Sequence, residues 1–334
     1  MHFARLFNVS LIAVTAFAEP AKVVVLDKAT LPPPTVQRDD EGEIVIKSAA
    51  DGNTILYTLD GTDPVARSNP YLAPILLPWG GHFKARAFSA DRKVMSEVVE
   101  RKFNPAPGFK TRPSTVIPVT QDRSWPSYGW QKRHESLVAM VQKQQPSVLF
   151  IGDSITHFFG GQDLDLPLRG PKTWDEFYAP RNAANIGCGW EKTENVLWRL
   201  THGAIENIEP KVAVVMIGTN NIDTCAVPDI VEGITAICET LHQKLQTTKI
   251  LLLGIFPRGP VDHAARPKIV AINDAISKLN GKNNITYIDI GYAFLQSSGN
   301  ISKDIMPDLL HPNEKGYRLW AEAMEPTLKK LLGE

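Results

Sequence analysis

The chain is poor in cysteine, with only Cys188, Cys225 and Cys238 among 334 residues. Three cysteines cannot form a disulfide framework, and at least one thiol stays unpaired in a monomer. Stability must therefore come from a packed core, which a chain of this length can bury. A bridge between Cys188 and Cys225 is one interpretation, since both fall in loops that we place at the same edge of the predicted sheet. Buried inert thiols are the other, and we favour it.

An excess of charge of one sign is also absent, because Lys plus Arg and Asp plus Glu number 36 each. No net field is available to attract nucleic acid or an anionic membrane surface, so we expect a neutral substrate and no nucleic-acid partner. None of the eight histidines lies in an HExxH or CxxC-type spacing. The sequence therefore predicts no metal site and no cofactor.

Long apolar runs are lacking except at the N-terminus. There Arg5 precedes an apolar stretch over residues 6–17, which ends in the small-residue pattern Ala-Phe-Ala. This order is typical of a secretory signal peptide, and we prefer it to a buried N-terminal strand. We predict a signal peptide over residues 1–18 and a secreted or periplasmic protein. No other run reaches the roughly 18 apolar residues that cross a bilayer, so no integral membrane segment is expected.

Residues 20–104 alternate short strand patterns with turn residues. Strands are predicted at residues 43–47, 55–59, 83–88 and 94–103. Clusters of Asp, Gly, Asn and Pro separate them. The pattern predicts a small all-β sandwich domain.

Two strings in this region, YTLDGTDP from Tyr57 and KARA from Lys84, resemble the β-sandwich module at the C-terminal end of chitobiases and β-hexosaminidases. Such a module could bind sugar by stacking on Trp79 or Tyr71. It could instead be a spacer that packs on the next domain. We favour the spacer, because single aromatic residues more often serve packing.

Proline recurs in the following segment, and we predict an extended linker over residues 105–127. Beyond it, helical patterns alternate with near-continuous apolar runs, which are typical of parallel strands buried on both faces. We predict strands near residues 147–151, 182–186, 211–217, 249–256 and 285–290, and helices near 130–143, 193–204, 228–246, 264–280 and 313–332. The fold class is therefore α/β, a three-layer flavodoxin-like parallel sheet of about five strands over residues 128–334.

The strand at 147–151 runs through a glycine into Asp153 and Ser154. This arrangement lifts a nucleophile to the carboxyl edge of a sheet. Near the C-terminus, Asp308 and His311 place an acid and an imidazole three residues apart. We predict Ser154 as nucleophile, His311 as its base and Asp308 as the group that orients the imidazole. Asp153 is expected to bond to neighbouring loops rather than to react.

Four motifs occur in order: Gly-Asp-Ser at 152–154, Asn-Ile-Gly-Cys-Gly at 185–189, Gly-Thr-Asn-Asn at 218–221 and Asp-Leu-Leu-His-Pro-Asn at 308–313. With them, residues from about 130 to 332 resemble an SGNH, or GDSL-type, hydrolase. Within the family the resemblance is to the catalytic subunit of the platelet-activating-factor acetylhydrolase and to secreted bacterial acetylesterases.

This resemblance implies an oxyanion hole made by the backbone N–H groups of Ser154 and Gly187 and by the side-chain amide of Asn220. One position departs from the family pattern: Asn221 stands where many members have Asp. His157, Trp174, Trp190 and His263 could line the acyl or leaving-group side, although the two tryptophans could equally belong to the core.

The function expected from these features is a secreted serine esterase that removes short acyl groups, above all acetyl, from carbohydrate through an acyl-enzyme. A lysophospholipase or short-chain lipid esterase is the alternative. The absence of a long apolar lid segment argues mildly against it. A binding protein with a vestigial site would need a lost nucleophile or base, and both are present. The substrate is thus a small-molecule or glycan ester, and the oligomeric state stays open.

Overall fold

The structure is a computed structural model that describes residues 30–59, 61–66, 68–121, 129–161 and 167–334. The predicted signal peptide, residues 1–18, lies outside the described residues, as does the end of the predicted linker, residues 122–127.

The N-terminal region contains seven short strands. In chain order they are β1 (Thr35–Arg38), β2 (Glu43–Lys47), β3 (Thr54–Thr58), β4 (Asn69–Pro70), β5 (Ile75–Leu76), β6 (Gly81–Phe88) and β7 (Val99–Phe103). They form two sheets, with orders β1-β2-β5 and β4-β3-β6-β7, in which all pairs are antiparallel. The predicted β-sandwich is confirmed.

Alternating side chains of the two sheets fill the sandwich core. Ile44 from one sheet and Phe83 from the other are fully buried, and Tyr57 stacks on Phe83 with ring centroids 5.8 Å apart. Ile117 and Val119, which follow the sandwich in sequence, are buried in the same core. The sandwich is therefore completed by part of the predicted linker.

The second region is built on a five-stranded parallel sheet. Its strands are β8 (Val148–Gly152), β9 (Ala183–Asn185), β10 (Val212–Met216), β11 (Lys249–Leu253) and β12 (Ile285–Ile288). Their order is β12-β11-β10-β8-β9, and every pair is parallel. This is the flavodoxin-like order, in which the chain changes direction between β8 and β10.

Helices cover both faces of the parallel sheet. They are α1 (Trp130–Gln144), α2 (Ser154–His157), α3 (Pro171–Phe177), α4 (Thr193–Thr201), α5 (Val227–Lys244), α6 (Ala265–Ile276) and α7 (Glu314–Leu332). Single 3-10 turns lie at Ser114–Val116, Ala179–Arg181, Ser277–Leu279 and Gly291–Phe294. Leu149 and Ile151 of β8 pack with α1, α4, α5 and α6, whereas Val148 and Phe150 pack with α3 and α7. The predicted three-layer α/β fold is confirmed.

The predicted linker is a structured connection between the two regions. We call residues 113–121 the joint. Val119 donates its backbone N–H to the carbonyl of Glu194 at 3.1 Å, and Thr120 donates its hydroxyl to the carbonyl of Pro70 at 3.0 Å. Pro113 and Ile117 have extended backbone, but the 3-10 turn at Ser114–Val116 lies between them. The joint is bonded both to the sandwich and to α4.

The described residues also show the state of the cysteines, of acidic, histidine and cysteine groups, and of the helices. Cys188, Cys225 and Cys238 are all free thiols, so the bridge considered between Cys188 and Cys225 is not formed. The described part of the chain holds no group of three or more His, Cys, Asp or Glu residues arranged to bind a metal ion. Within the same residues, every helix is too short or too polar to cross a bilayer.

Candidate active site

The carboxyl end of β8 leads directly into Ser154. Gly152 ends the strand, and a Cβ at this position would collide with the carbonyl oxygen of Met216 on neighbouring β10. Asp153 then caps α2, because its carboxylate accepts the N–H of Ile155 at 3.0 Å. Ser154 is thereby the first residue of α2, at the edge where the strand order reverses.

A continuous chain of hydrogen bonds links Ser154 to His311 and Asp308. The Ser154 hydroxyl lies 2.8 Å from Nε2 of His311. Nδ1 of the same ring lies 2.7 Å from Oδ2 of Asp308, and Oδ1 of Asp308 accepts the backbone N–H of His311 at 2.7 Å. Because a carboxylate only accepts, Nδ1 carries the proton and Nε2 is left to accept from the serine. The structure brings together all three residues predicted from the sequence.

The surroundings of His311 and Asp308 determine the protonation states that proton transfer from Ser154 requires. Burial lowers the pKa of His311 below its usual value, although the hydrogen bond and charge of Asp308 act to raise it. Partial burial raises the pKa of Asp308, but the backbone and ring N–H groups of His311 outweigh it and lower that pKa to about 2. Near neutral pH the imidazole is therefore uncharged and able to accept a proton, beside an ionised carboxylate.

Two residues that the sequence did not indicate support the imidazole. The ring of Phe158 meets His311 edge to face, with centroids 5.2 Å apart. The guanidinium of Arg169 lies 4.4 Å from the centre of the Phe158 ring, and its Nη1 lies 3.5 Å from Oδ2 of Asp308. Arg169 therefore contacts both the carboxylate and the ring that packs against the imidazole.

Asp153 does not reach the His311 ring but is the cap of α2, in keeping with the non-reacting role expected for it. Its side chain is fully buried, and burial raises its pKa to about 7 even though the bond from the Ile155 N–H acts to lower it. The carboxyl group thus holds the turn that presents Ser154.

The backbone N–H of Gly187 has a partner within its own loop. Its backbone N–H, expected to stabilise an oxyanion, donates to Oδ1 of Asn185 at 2.9 Å. The Asn185 amide in turn donates to the carbonyl of Thr156 at 2.7 Å, which ties this loop to α2. A Cβ at position 187 would lie 2.6 Å from the backbone nitrogen of His157, so the glycine serves close packing of the loop. The role of Gly187 as an oxyanion donor stays a prediction.

Asn220, the other predicted donor from a distant loop, follows β10 at the same edge of the sheet. Its side-chain amide donates to the backbone carbonyl of Glu191 at 2.9 Å. An amide nitrogen carries two hydrogens, so this bond uses one and orients the other. Asn220 therefore keeps a second amide hydrogen, which is the donor that the predicted oxyanion hole requires.

The carbonyl that accepts the Asn220 amide belongs to the loop after β9, and a buried ion pair between Glu191 and Arg199 holds this loop in place. The carboxylate of Glu191 accepts two bonds of 2.7 Å from Nε and Nη2 of Arg199, and one of 2.8 Å from the indole N–H of Trp130. Both charged side chains are almost completely buried. Such a pair is stable only with this number of hydrogen bonds, because burial of either charge alone is costly.

The departure at Asn221 has a structural reason. Its side-chain oxygen accepts the N–H of Thr193 at 3.1 Å, and its amide donates to Oε2 of Glu194 at 2.9 Å. Burial raises the pKa of Glu194, which therefore needs a donor beside it. An aspartate at 221 would place a second carboxylate against Glu194, so asparagine suits this loop.

The four residues expected to line the site have different positions. Trp174 is core, with its ring 5.0 Å from that of Phe150, and His157 is buried, which lowers its pKa to about 2. Nδ1 of His263 accepts the N–H of Ala265, the first residue of α6, at 3.1 Å. Trp190 alone of the four is exposed, at 44%. It is also a bulky residue in the left-handed region, with φ of 66°, a conformation that no sequence pattern indicates.

Comparison with known proteins agrees with the two-part fold. The family model described as GDSL-like Lipase/Acylhydrolase matches residues 150–319, about half of the chain. A second model, Fn3 associated, matches residues 44–103, within the β-sandwich.

Similar curated proteins include subunits of one enzyme. The chain is 34% identical over 206 residues to platelet-activating factor acetylhydrolase IB subunit alpha2 of Rattus norvegicus, covering 61% of this chain and 86% of that protein. It is 32% identical over 232 residues to subunit alpha1 of Homo sapiens, covering 69% and 92% respectively. A solved GDSL-like lipase from Bacteroides thetaiotaomicron overlays with a TM-score of 0.49 and 19% identity, covering 60% of this chain and 97% of that one. With its matched family model and these relatives, the chain belongs to the GDSL-like lipase/acylhydrolase family and is a carboxylic ester hydrolase.

Proposed function

We propose that the protein is an exported serine esterase that removes acetyl and other short acyl groups from carbohydrate, with Ser154, His311 and Asp308 as its catalytic residues. One observation carries the assignment: the bonds of 2.8 Å and 2.7 Å that connect the serine hydroxyl through the imidazole to the carboxylate. A nucleophile, a base within hydrogen-bond reach and a group that orients the base are the parts that acyl transfer requires.

In the first half-reaction, the Ser154 hydroxyl attacks the ester carbonyl while Nε2 of His311 takes its proton. The tetrahedral intermediate carries an oxyanion, which the backbone N–H of Ser154 and the amide of Asn220 stabilise. Losing one such donor typically raises the barrier by about 3 to 4 kcal/mol. The intermediate collapses as the imidazolium returns the proton to the leaving alkoxide, which departs as the alcohol and leaves an acylated serine.

In the second half-reaction, His311 takes a proton from water, and the resulting hydroxide adds to the acyl carbonyl. Collapse expels the Ser154 oxygen, which regains its proton from His311, and the carboxylic acid is released. The ionised Asp308, with its pKa near 2, stabilises the imidazolium formed in each half. No net proton is consumed by the enzyme over the cycle.

The short acyl group and the sugar alcohol are supported by separate observations. The curated relatives are named acetylhydrolases, which supports acetyl as the acyl group. The zero formal net charge suits a neutral alcohol such as a glycan. The resemblance of the sandwich to a module of carbohydrate-active enzymes points to the same substrate class.

A short-chain lipid esterase is the second candidate. It is favoured by the identity of about a third with proteins named for hydrolysis of platelet-activating factor. This candidate would prefer acetylated or longer-chain lipid esters over acetylated sugars, so the two hypotheses differ in the alcohol and in the acyl length.

Initial rates on aryl acetate, butyrate and octanoate test the assignment. We expect rates to fall steeply from acetate to octanoate, and Ser154→Ala to lose activity by at least about 10⁴-fold. Ser297→Ala, a change at an exposed serine, is the matched control and keeps the parent rate. A preference for octanoate would favour the lipid esterase. Equal rates in the parent and Ser154→Ala would refute the nucleophile, and an inactive parent that binds glycans would favour a binding protein.

Export is tested on the expressed full-length chain. If residues 1–18 are a signal peptide, the mass of the protein recovered from the medium or periplasm matches a chain that begins at Glu19. Retention of the full-length mass inside the cell would contradict export while leaving the esterase assignment intact.

A further inference from the structure

The loop after β10, which carries Asn220, is bound by a guanidinium group from the loop after β11. Nη1 of Arg258 donates to the backbone carbonyl of Thr219 at 3.0 Å, and Nη2 donates to Oδ1 of Asp223 at 2.5 Å. The two acceptors lie on either side of Asn220 in sequence. Arg258 therefore holds the loop that carries the proposed oxyanion donor.

The Thr219 carbonyl belongs to the peptide unit that leads into Asn220. Because that unit is planar, a bond to its oxygen fixes the direction in which the chain enters Asn220. At the other end of the residue, the side-chain amide donates to the carbonyl of Glu191 at 2.9 Å. With backbone and side chain both held, the second amide hydrogen has one direction, as preorganised stabilisation of an oxyanion requires.

The two bonds of Arg258 differ in burial. Its own side chain is only 12% exposed and Thr219 is buried, whereas the side chain of Asp223 is 69% exposed. A hydrogen bond from a charged donor is roughly twice as strong as one between neutral groups. An ion pair with an exposed partner contributes little. The bond to the Thr219 carbonyl is therefore the one that holds the loop.

The next residue, Gly259, is bonded to the turn that carries the candidate base. Its N–H donates to the carbonyl of Leu309, within the Asp308–His311 turn, at 2.8 Å. Glycine suits this position, because φ is 67° and a Cβ would lie 2.5 Å from the ring of His263. We call residues 258–259 the bridge segment. It binds the loop of the oxyanion donor on one side and the turn of the base on the other.

The bridge segment is fixed to α6 by a second arginine. Nε of Arg266 donates to the carbonyl of Arg258 at 2.9 Å, and its Nη2 donates to the carbonyl of Gly259 at 3.0 Å. A planar guanidinium that bonds two successive carbonyls fixes the course of the backbone. The separation of the two loops is thus set by a helix of the fold, which is how a site gains precise geometry.

We propose that Arg258 is a positioning residue of the esterase, which directs the Asn220 amide toward the oxyanion by holding the Thr219 carbonyl. This inference rests on the proposed function, because it assigns Arg258 a part in stabilising the tetrahedral intermediate. Arg258 acts through Asn220 and does not contact the ester. Since the oxyanion forms only as the ester reacts, changes at Arg258 should lower kcat and leave KM nearly unchanged.

The test is a double-mutant cycle on aryl acetate. Arg258→Gln should lower kcat at least about tenfold with KM within about twofold of the parent. Asn220→Ala should lower kcat by about 10² to 10³, the usual loss for one oxyanion donor. Because Arg258 acts through Asn220, adding Arg258→Gln to Asn220→Ala should lower kcat by less than about twofold further.

Matched variants separate the carbonyl bond from the ion pair and from charge. Asp223→Asn removes the exposed partner and leaves the bond to Thr219, so kcat should stay within about twofold of the parent. Arg258→Lys keeps one cationic donor and should lower kcat by only about threefold. Arg101→Gln, at an exposed arginine of β7, is the control for loss of a positive charge and keeps the parent kcat.

A second measurement reports on the oxyanion without turnover. An aryl trifluoromethyl ketone accepts the Ser154 oxygen at its carbonyl carbon, and the adduct carries an oxyanion as the tetrahedral intermediate does. Its inhibition constant should rise at least about tenfold in Arg258→Gln and only slightly when Asn220→Ala is already present. Circular dichroism checks that each variant folds. If Arg258→Gln does not fold, Arg258→Lys takes its place, and its smaller effects must likewise disappear in the Asn220→Ala background.

The outcomes separate the two proposals. If the parent cleaves aryl acetate but Arg258→Gln keeps the parent kcat, or loses as much in the Asn220→Ala background as alone, the positioning role is overturned and the esterase assignment stands. An equal loss in Asp223→Asn would assign the effect to the ion pair and overturn it too. If the parent is inactive, or no faster than Ser154→Ala, the proposed function and the inference both fail.

Discussion

At the scale of single residues, the charge on Arg169 contributes to the pKa of the candidate base. Burial lowers the pKa of His311, the hydrogen bond and charge of Asp308 raise it, and the nearby positive charge of Arg169 lowers it further. The guanidinium lies 3.5 Å from Asp308 and rests on the ring of Phe158 that contacts the imidazole. Arg169 therefore acts on the reaction through His311 and Asp308, as a positioning residue.

We predict that Arg169→Gln moves the acid limb of the kcat/KM profile to higher pH. The neutral imidazole is the active form, so activity rises with pH through the pKa of His311. Removing a positive charge makes protonation of that ring easier, which raises its pKa and shifts the limb upward. The measurement is kcat/KM on aryl acetate from pH 4 to 9.

Two variants make this prediction specific. Arg169→Lys keeps the charge and should keep the parent profile, and Lys172→Gln removes an exposed charge nearby and should do the same. A uniform loss of rate in Arg169→Gln, with the limb unmoved, would mean that the residue contributes only packing.

Sequence reasoning located Ser154, His311 and Asp308 because each lies at a position that a parallel sheet brings to one edge. It missed Arg169 and the bond between the Gly187 N–H and Asn185 for a common reason. Which atom accepts the Gly187 N–H depends on the rotamer of Asn185, and the contact of Arg169 depends on a chain separation of more than a hundred residues. Neither property is carried by a local pattern.

At the scale of elements, apolar runs predicted the five parallel strands but not their ends. The run at 249–256 continues past the end of β11 at Leu253. Beyond it, Ile255 is still buried but donates its N–H to Oδ1 of Asn273 on α6 instead of to a neighbouring strand. Burial and strand pairing thus end at different residues, and the sequence pattern reports only burial.

The loop between β9 and α4 depends on the Glu191–Arg199 pair, and we predict that Glu191→Gln destabilises the protein by about 3 to 5 kcal/mol. The change leaves the buried guanidinium of Arg199 without its counter-charge. Urea unfolding at pH 7, followed by fluorescence, measures the loss.

The control for this variant is Glu206→Gln, which removes an exposed partner 4.0 Å from Lys244. Exposed pairs contribute about 0 to 1 kcal/mol, so this change should be close to neutral. The backbone carbonyl of Glu191 accepts the Asn220 amide, and the Glu191 side chain anchors that carbonyl through Arg199 and Trp130. Glu191→Gln should therefore loosen the position of Asn220 and lower kcat on aryl acetate even where the variant remains folded. Full stability and full kcat together would show that the pair does not organise the loop.

At the scale of the whole molecule, the joint connects two cores that the sequence presents as separate. Its prolines predicted an extended linker, and no local signal marks Val119 as part of the sandwich core. The partners of the joint are distant in sequence, such as Glu194 for Val119 and Asp229 for Thr115. The domain boundaries predicted at residues 104 and 127 remain a prediction. The joint makes hydrogen bonds both to the sandwich and to the α/β region.

If the joint couples the two regions, they unfold as one unit, and Val119→Asp uncouples them. Val119 is buried in the sandwich core while its N–H bonds to Glu194, so a charge there costs several kcal/mol at the point of contact. We predict one calorimetric transition for the parent. Val119→Asp should give two, with the sandwich melting first, whereas Leu76→Asp at an exposed sandwich position keeps one. Two transitions in the parent would mean that the regions are independent despite their shared hydrogen bonds, and that the joint is a tether.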